Sequence, residues 1–159
     1  MNKEKAKTSP TQIYKPNDIL FVTNSVVFNL AVSGVYISSK IDAAAIDSSI
    51  PLKICGGIVV LLIIPFTVTL FGYVKTKAKN KIIISNILIL FYILLELLLD
   101  YVLKIPFREI LAIHIPYIII FYAAAFSMIG VSRTISKKTG FLVVSTFLIL
   151  IGCLIYNLS

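Results

Sequence analysis

The chain has 159 residues, 58% hydrophobic and only 14% charged, with a mean hydropathy of +0.98. Soluble domains hold about 45–50% apolar and ~25% charged residues, so a soluble fold of this size could not hide this much apolar surface. A bilayer can, because its interior is apolar over about 30 Å. The net charge of +8 does not point to nucleic acid. The lysines and arginines fall in short segments between apolar runs, where membrane topology places them, and no nucleic-acid motif accompanies them.

Residues 1–17 are polar, with Lys3, Lys5, Lys7, Lys15, Pro10 and Pro16, and read as a disordered basic cytoplasmic tail. Residues 18–159 read as one all-α transmembrane domain, a five-helix bundle. Its apolar runs lie at about 19–38, 54–74, 82–103, 109–130 and 139–157. Each is close to the ~20 residues that cross the hydrocarbon core as a helix. Lipid offers no partner to a backbone amide, so these runs are expected to be helical despite their many β-branched residues.

Alternate sides of such a bundle carry eleven and four Lys plus Arg. The positive-inside rule then places the N-terminus in the cytoplasm and the C-terminus outside, in a multi-pass protein of the cell membrane. The alternating run Lys75, Lys77, Lys79 and Lys81 reads as a topology anchor lying against anionic lipid headgroups. The bilayer is the expected partner, and the sequence leaves open a homo-oligomer or a partner subunit.

The first span is the most polar, broken by Asn24, Ser25, Asn29 and Ser33, with Ala43-Ala44-Ala45 downstream. A cleaved signal peptide is the alternative there. The apolar run is longer than the usual core of roughly 7–15 residues, so the span is expected to be retained. Ser25, Asn29 and Ser33 recur at four-residue spacing and share a helix face. Such groups bond neighbouring helices, and lining of a polar cavity is the second reading. In the second span Pro65 cannot donate to the Leu61 carbonyl, which predicts a kink. Gly56-Gly57 predicts a close helix approach at that span's start.

The third span carries Glu96 and Asp100 four residues apart, on one face with Asn86 and Ile93, ending at Lys104. Acids inside a span are costly and mark working sites by default. Glu96 lies about seven residues inside the boundary, roughly 10 Å deep. The fourth span carries the only histidine, His114. Glu96 and His114 are each nine residues from residue 105, the centre of the intervening turn. A tight hairpin would therefore set them at one depth, where carboxylate and imidazole can share a proton. Arg108 sits at the mouth of the hairpin, Tyr117 adds to the polar lining, and Pro116 frees the Ala112 carbonyl. The candidate binding residues are thus Glu96, Asp100, His114 and Arg108, with Ser25, Asn29, Ser33 and Tyr117 as a secondary lining. The competing reading is that the acid and the imidazole only hold helices together. Farther along, Ala123-x-x-x-Ser127 forms a small-xxx-small pattern that predicts close helix packing.

Cys55 and Cys153 form no CxxC and no zinc spacing, so no metal and no cofactor is expected. Both fall towards one side, where a disulfide is geometrically thinkable and two free thiols are the favoured state. No nucleophile, P-loop or ion-filter motif is present, which disfavours an enzyme. Three functions remain: a small transport or solute-binding protein working through an outer-half polar site, a structural or accessory subunit, and, weakest, an enzyme acting on lipid.

Overall fold

The computed structural model describes residues 15–44, 50–104 and 110–159. The elements, in chain order, are α1 (Pro16–Ala44), α2 (Ile50–Leu61), α3 (Ile63–Lys75), α4 (Asn80–Glu96), a π-helical turn (Leu97–Val102), α5 (Leu111–Ile135) and α6 (Lys137–Leu158). The described residues include no strand. Among the described residues five helices, counting α2 with α3 and α4 with the π turn, are long and apolar enough to cross a membrane. Their outward faces are apolar too: Phe71 is 70% exposed, Phe141 73% and Leu148 62%. Water disfavours so large an apolar surface, whereas lipid matches it.

The helices overrun the expected spans, most at α1, which runs from Pro16 to Ala44. Pro16 suits the first helical position because it has no N–H to leave unsatisfied, and the Lys15 carbonyl accepts from the Asp18 amide at 2.9 Å. The polar residues within α1 do not break it. Ser25 and Ser33 donate to carbonyls one turn back, Phe21 O and Asn29 O, at 2.9 and 2.7 Å. Gly130 likewise fails to end α5, which continues to Ile135. Helix α6 starts at a true cap: Ser136 is extended, and its hydroxyl accepts from the Thr139 amide at 3.2 Å.

The second span divides where Pro65 implies. The Leu61 carbonyl loses its donor, and the helix is interrupted at Leu62. The Leu62 amide shares its bond between Ile58 O and Val59 O, and the ladder resumes with Phe66 N to Leu62 O at 3.1 Å. Between α3 and α4 the chain turns through Lys77, whose φ of 50° is left-handed. The Ala78 amide bonds Tyr73 O and the Lys77 amide bonds Val74 O, the paired bonds of a Schellman ending.

The most polar span sits at the centre of the bundle. In the most apolar window of α1 50% of residues are buried, against 22–33% in the other spans. Helix α1 packs on α6, α2, α3 and α5, and its Phe21, Phe28 and Asn29 are buried. Polar groups are tolerable there because they meet protein rather than lipid. Asn29 Nδ2 donates to Thr146 Oγ1 at 3.0 Å and to Val143 O at 3.3 Å on α6. At the far end Asn157 Nδ2 donates to Tyr36 O at 2.8 Å, and Lys40 Nζ to Tyr156 O at 2.6 Å. Pairs 29 with 146 and 36 with 157 mean that α1 and α6 run parallel. The start of α1 and the end of α6 therefore lie at opposite ends of the bundle.

Loss of α1 would strip this centre, so the mature protein is expected to keep it. Peptide mapping of membrane-extracted protein should recover peptides from α1. Their absence would refute this.

Glycines allow close approaches at specific places. A Cβ on Gly34 would lie 2.7 Å from Cys55 Sγ, and one on Gly56 would lie 2.6 Å from the Tyr101 hydroxyl. Gly57 has nothing within 4 Å, so of the glycine pair only Gly56 serves a contact. The Ala123–Ser127 pattern is not the packed face of α5. The buried residues there are Phe121, Ala124, Ala125, Met128, Val131 and Ser132, a helical stripe that leaves 123 and 127 to one side. Cys55 and Cys153 are both free and half-buried.

Candidate functional site

Glu96 is the last residue of α4 and is 9% exposed. Asn86, Ile93 and Glu96 are all buried, as one helix face requires. Beyond Glu96 the helix changes type. The backbone switches to i+5 bonding, with Leu103 N to Leu98 O at 2.8 Å, and each turn then holds more residues than an α-helical turn. The next buried side chain is Leu99, while Asp100 is half-buried and Lys104 is exposed with a φ of 51°. Asp100 lies within this π turn, four residues after Glu96. Single π turns are enriched at functional sites.

Glu96 is held by phenols. The Tyr92 hydroxyl, one turn back on α4, donates to Glu96 Oε2 at 3.3 Å. The Tyr117 hydroxyl donates to the same oxygen from α5. The two phenolic oxygens lie 2.8 Å apart. His114, three residues before Tyr117, is half-buried and lies nearly parallel to the Tyr117 ring, at 6.4 Å and 17°. Beneath the cluster is an aromatic floor from three helices: Tyr92 meets Phe121 at 5.4 Å and Phe28 at 5.7 Å. This is a carboxyl with tyrosine donors on one side and apolar rings below. Low polarity strengthens each of its hydrogen bonds and makes any change of charge there consequential.

The structure thus brings together Glu96, Tyr117 and His114 of the residues singled out in the sequence. The hydrogen bonds of Ser25, Asn29 and Ser33 go to their own helix and to α6. From α1, Phe28, adjacent to Asn29, reaches the cluster. Arg108 lies outside the described residues. Tyr92 went unnoticed in the sequence, although it sits four residues before Glu96 and so on the same face.

A second set of polar groups lies deeper in the bundle. Asn86 Nδ2 donates to Thr69 Oγ1 at 3.1 Å, linking α4 to α3. Among the described residues Asn24 Nδ2, Asn29 Oδ1 and Asn86 Oδ1 are buried without a hydrogen-bond partner. Each such atom costs about 1–3 kcal/mol. Among the described residues no group of three or more His, Cys, Asp or Glu could hold a metal ion. The chain matches no known protein family, no curated protein and no solved structure.

Proposed function

We propose that this is a multi-pass protein of the cell membrane that binds or transports a small cation, proton or polar solute at Glu96, with Tyr92, Tyr117 and His114 completing the site. The observation that carries this reading is the placement of Glu96. It is a buried acid at the point where α4 gives way to a π turn, met across the α4–α5 hairpin by a phenol. Helix glue needs neither an ionisable group nor a break in helical geometry, since amides serve as well.

The test is a thermal-shift screen of the purified protein in detergent, over monovalent and divalent cations, pH and small polar solutes. At least one condition is expected to raise the melting temperature of the wild type by several degrees and to leave Glu96→Gln unmoved, because selective binding to the folded state stabilises it. If no condition separates the two proteins, the site reading fails. The second reading, a structural or accessory subunit, would then stand on Asn29–Thr146 and Asn86–Thr69, which are plain cross-helix bonds.

The Lys/Arg asymmetry of eleven to four supports a cytoplasmic N-terminus. That orientation would put Glu96 in the outer half of the membrane and the four-lysine turn inside. Reporter fusions at residues 1 and 159 are expected to report opposite compartments, the first cytoplasmic. Signals from a single compartment would contradict an odd number of spans.

A further inference from the structure

We propose that the lysine-rich end of the α4–α5 interface binds the phosphate headgroup of an anionic phospholipid. The end of the bundle opposite Glu96 holds a cavity of about 280 Å³ between the first turns of α4 and the last turns of α5. Lys79 and Lys81 stand at its rim, with Ser85, Ser127 and Gly130 among the residues that line it. The lysines are exposed and the serines half-buried. Among the described residues neither serine hydroxyl has a protein partner, so each keeps a proton to donate.

Charge and shape both narrow the occupant. The first turn of α4 contains no acid, and Lys79 at its cap position makes no side-chain capping bond. The positive end of the helix therefore adds to two lysines, and none of the residues lining the cavity is acidic. Positive charge and hydroxyl donors together fit a phosphodiester. The rest of the wall is apolar, with Phe126 59% exposed beside the opening. An acyl chain can lie along such a surface, whereas a free anion gains nothing from it. Gly130 makes the room: a Cβ there would meet nothing within 4 Å, so this glycine is not needed for helix packing. The four-lysine turn as a whole would attract anionic lipid to any point on its surface. The cavity adds one defined seat, supplied by Lys79 and Lys81 and not by Lys75 or Lys77, which do not line it.

Native mass spectrometry of the full chain, titrated with phosphatidylglycerol or phosphatidylcholine, tests the proposal. Wild type is expected to retain one phosphatidylglycerol in preference to phosphatidylcholine. Lys79→Gln with Lys81→Gln should weaken that binding about tenfold or more, since each lysine near a phosphate contributes appreciably. Lys75→Gln with Lys77→Gln removes the same charge outside the cavity and should change it little. Gly130→Leu should fill the cavity and abolish the preference without lowering the melting temperature of the lipid-free protein. Equal loss in the two lysine pairs would reduce the effect to diffuse surface charge and overturn the proposal. Undiminished binding in Gly130→Leu would also overturn it. Displacement of the lipid by excess inorganic phosphate would make the site one for free phosphate and refute the lipid assignment.

Discussion

Gly140→Leu is expected to destabilise the bundle by about 3 kcal/mol or more, near the top of the range for overpacking a core. Helices α5 and α6 are joined by Ser136 alone, so their axes meet at a corner with no slack. Gly140 lies at the inside of that corner and is buried. A Cβ there would fall 2.9 Å from Arg133 Cα and 3.2 Å from Arg133 N. These are backbone atoms, which no rotamer change can move aside. Helix propensity pulls the other way, since glycine inside a helix costs roughly 0.5–1 kcal/mol relative to alanine. The clash is the larger effect. Gly152, on the same helix, has nothing within 4 Å, so Gly152→Leu is the matched control and should be neutral or mildly stabilising. Melting temperatures in detergent decide the matter. At ~2–4 °C per kcal/mol for a chain of this size, Gly140→Leu should melt roughly 6–12 °C below wild type. Equal effects at the two glycines would remove the corner as the cause.

The five spans were legible because lipid thickness fixes both the length and the apolarity of a crossing helix. Pro65 likewise announced the break at Leu62, since a missing N–H is a property of one residue. Rotation of one helix against another was much less legible. In a soluble helix the apolar stripe names the packed face, but here lipid-facing and protein-facing sides are both apolar. That is why Ala123 and Ser127 could be read as a packing motif when the packed stripe runs through Ala124 and Met128. Buried polar residues were the better guide: Ser25, Asn29 and Asn86 all proved to face protein. The π turn could not be read at all. Leu97, Leu98 and Leu99 look like any continuing helix, and the switch in backbone bonding depends on how the end of α4 docks. Counting along the hairpin predicted His114 opposite Glu96; Tyr117, one turn farther along α5, donates to Glu96. Counting alone could not say which of them would donate the hydrogen bond, because the two lie within one turn of each other.

Tyr117→Phe should cost more stability than Glu96→Gln, and Glu96→Gln should cost more function. The Tyr117 hydroxyl is the donor that reaches Glu96 from the neighbouring helix. Removing it leaves the ring and its contact with Tyr92 at 5.6 Å, but takes one donor from a buried carboxyl. Leaving a buried polar group short of a partner costs about 1–3 kcal/mol. Glutamine in place of Glu96 keeps the side-chain shape and an oxygen that accepts from both Tyr92 and Tyr117. Its stability cost should stay below about 1 kcal/mol, as for a substitution that preserves hydrogen-bond partners. What glutamine cannot do is carry charge or exchange a proton. Under the binding reading, Glu96→Gln therefore folds normally and loses the ligand-dependent thermal shift, whereas Tyr117→Phe melts lower but keeps a weakened response. Tyr92→Phe should resemble Tyr117→Phe. The double variant should lose less than the two single losses together, because the two phenolic oxygens converge on one oxygen of Glu96 and are in contact with each other. If Glu96→Gln destabilised the protein as much as Tyr117→Phe and altered nothing else, the cluster would be helix glue. The acid would then be no more than one convenient acceptor for two buried hydroxyls.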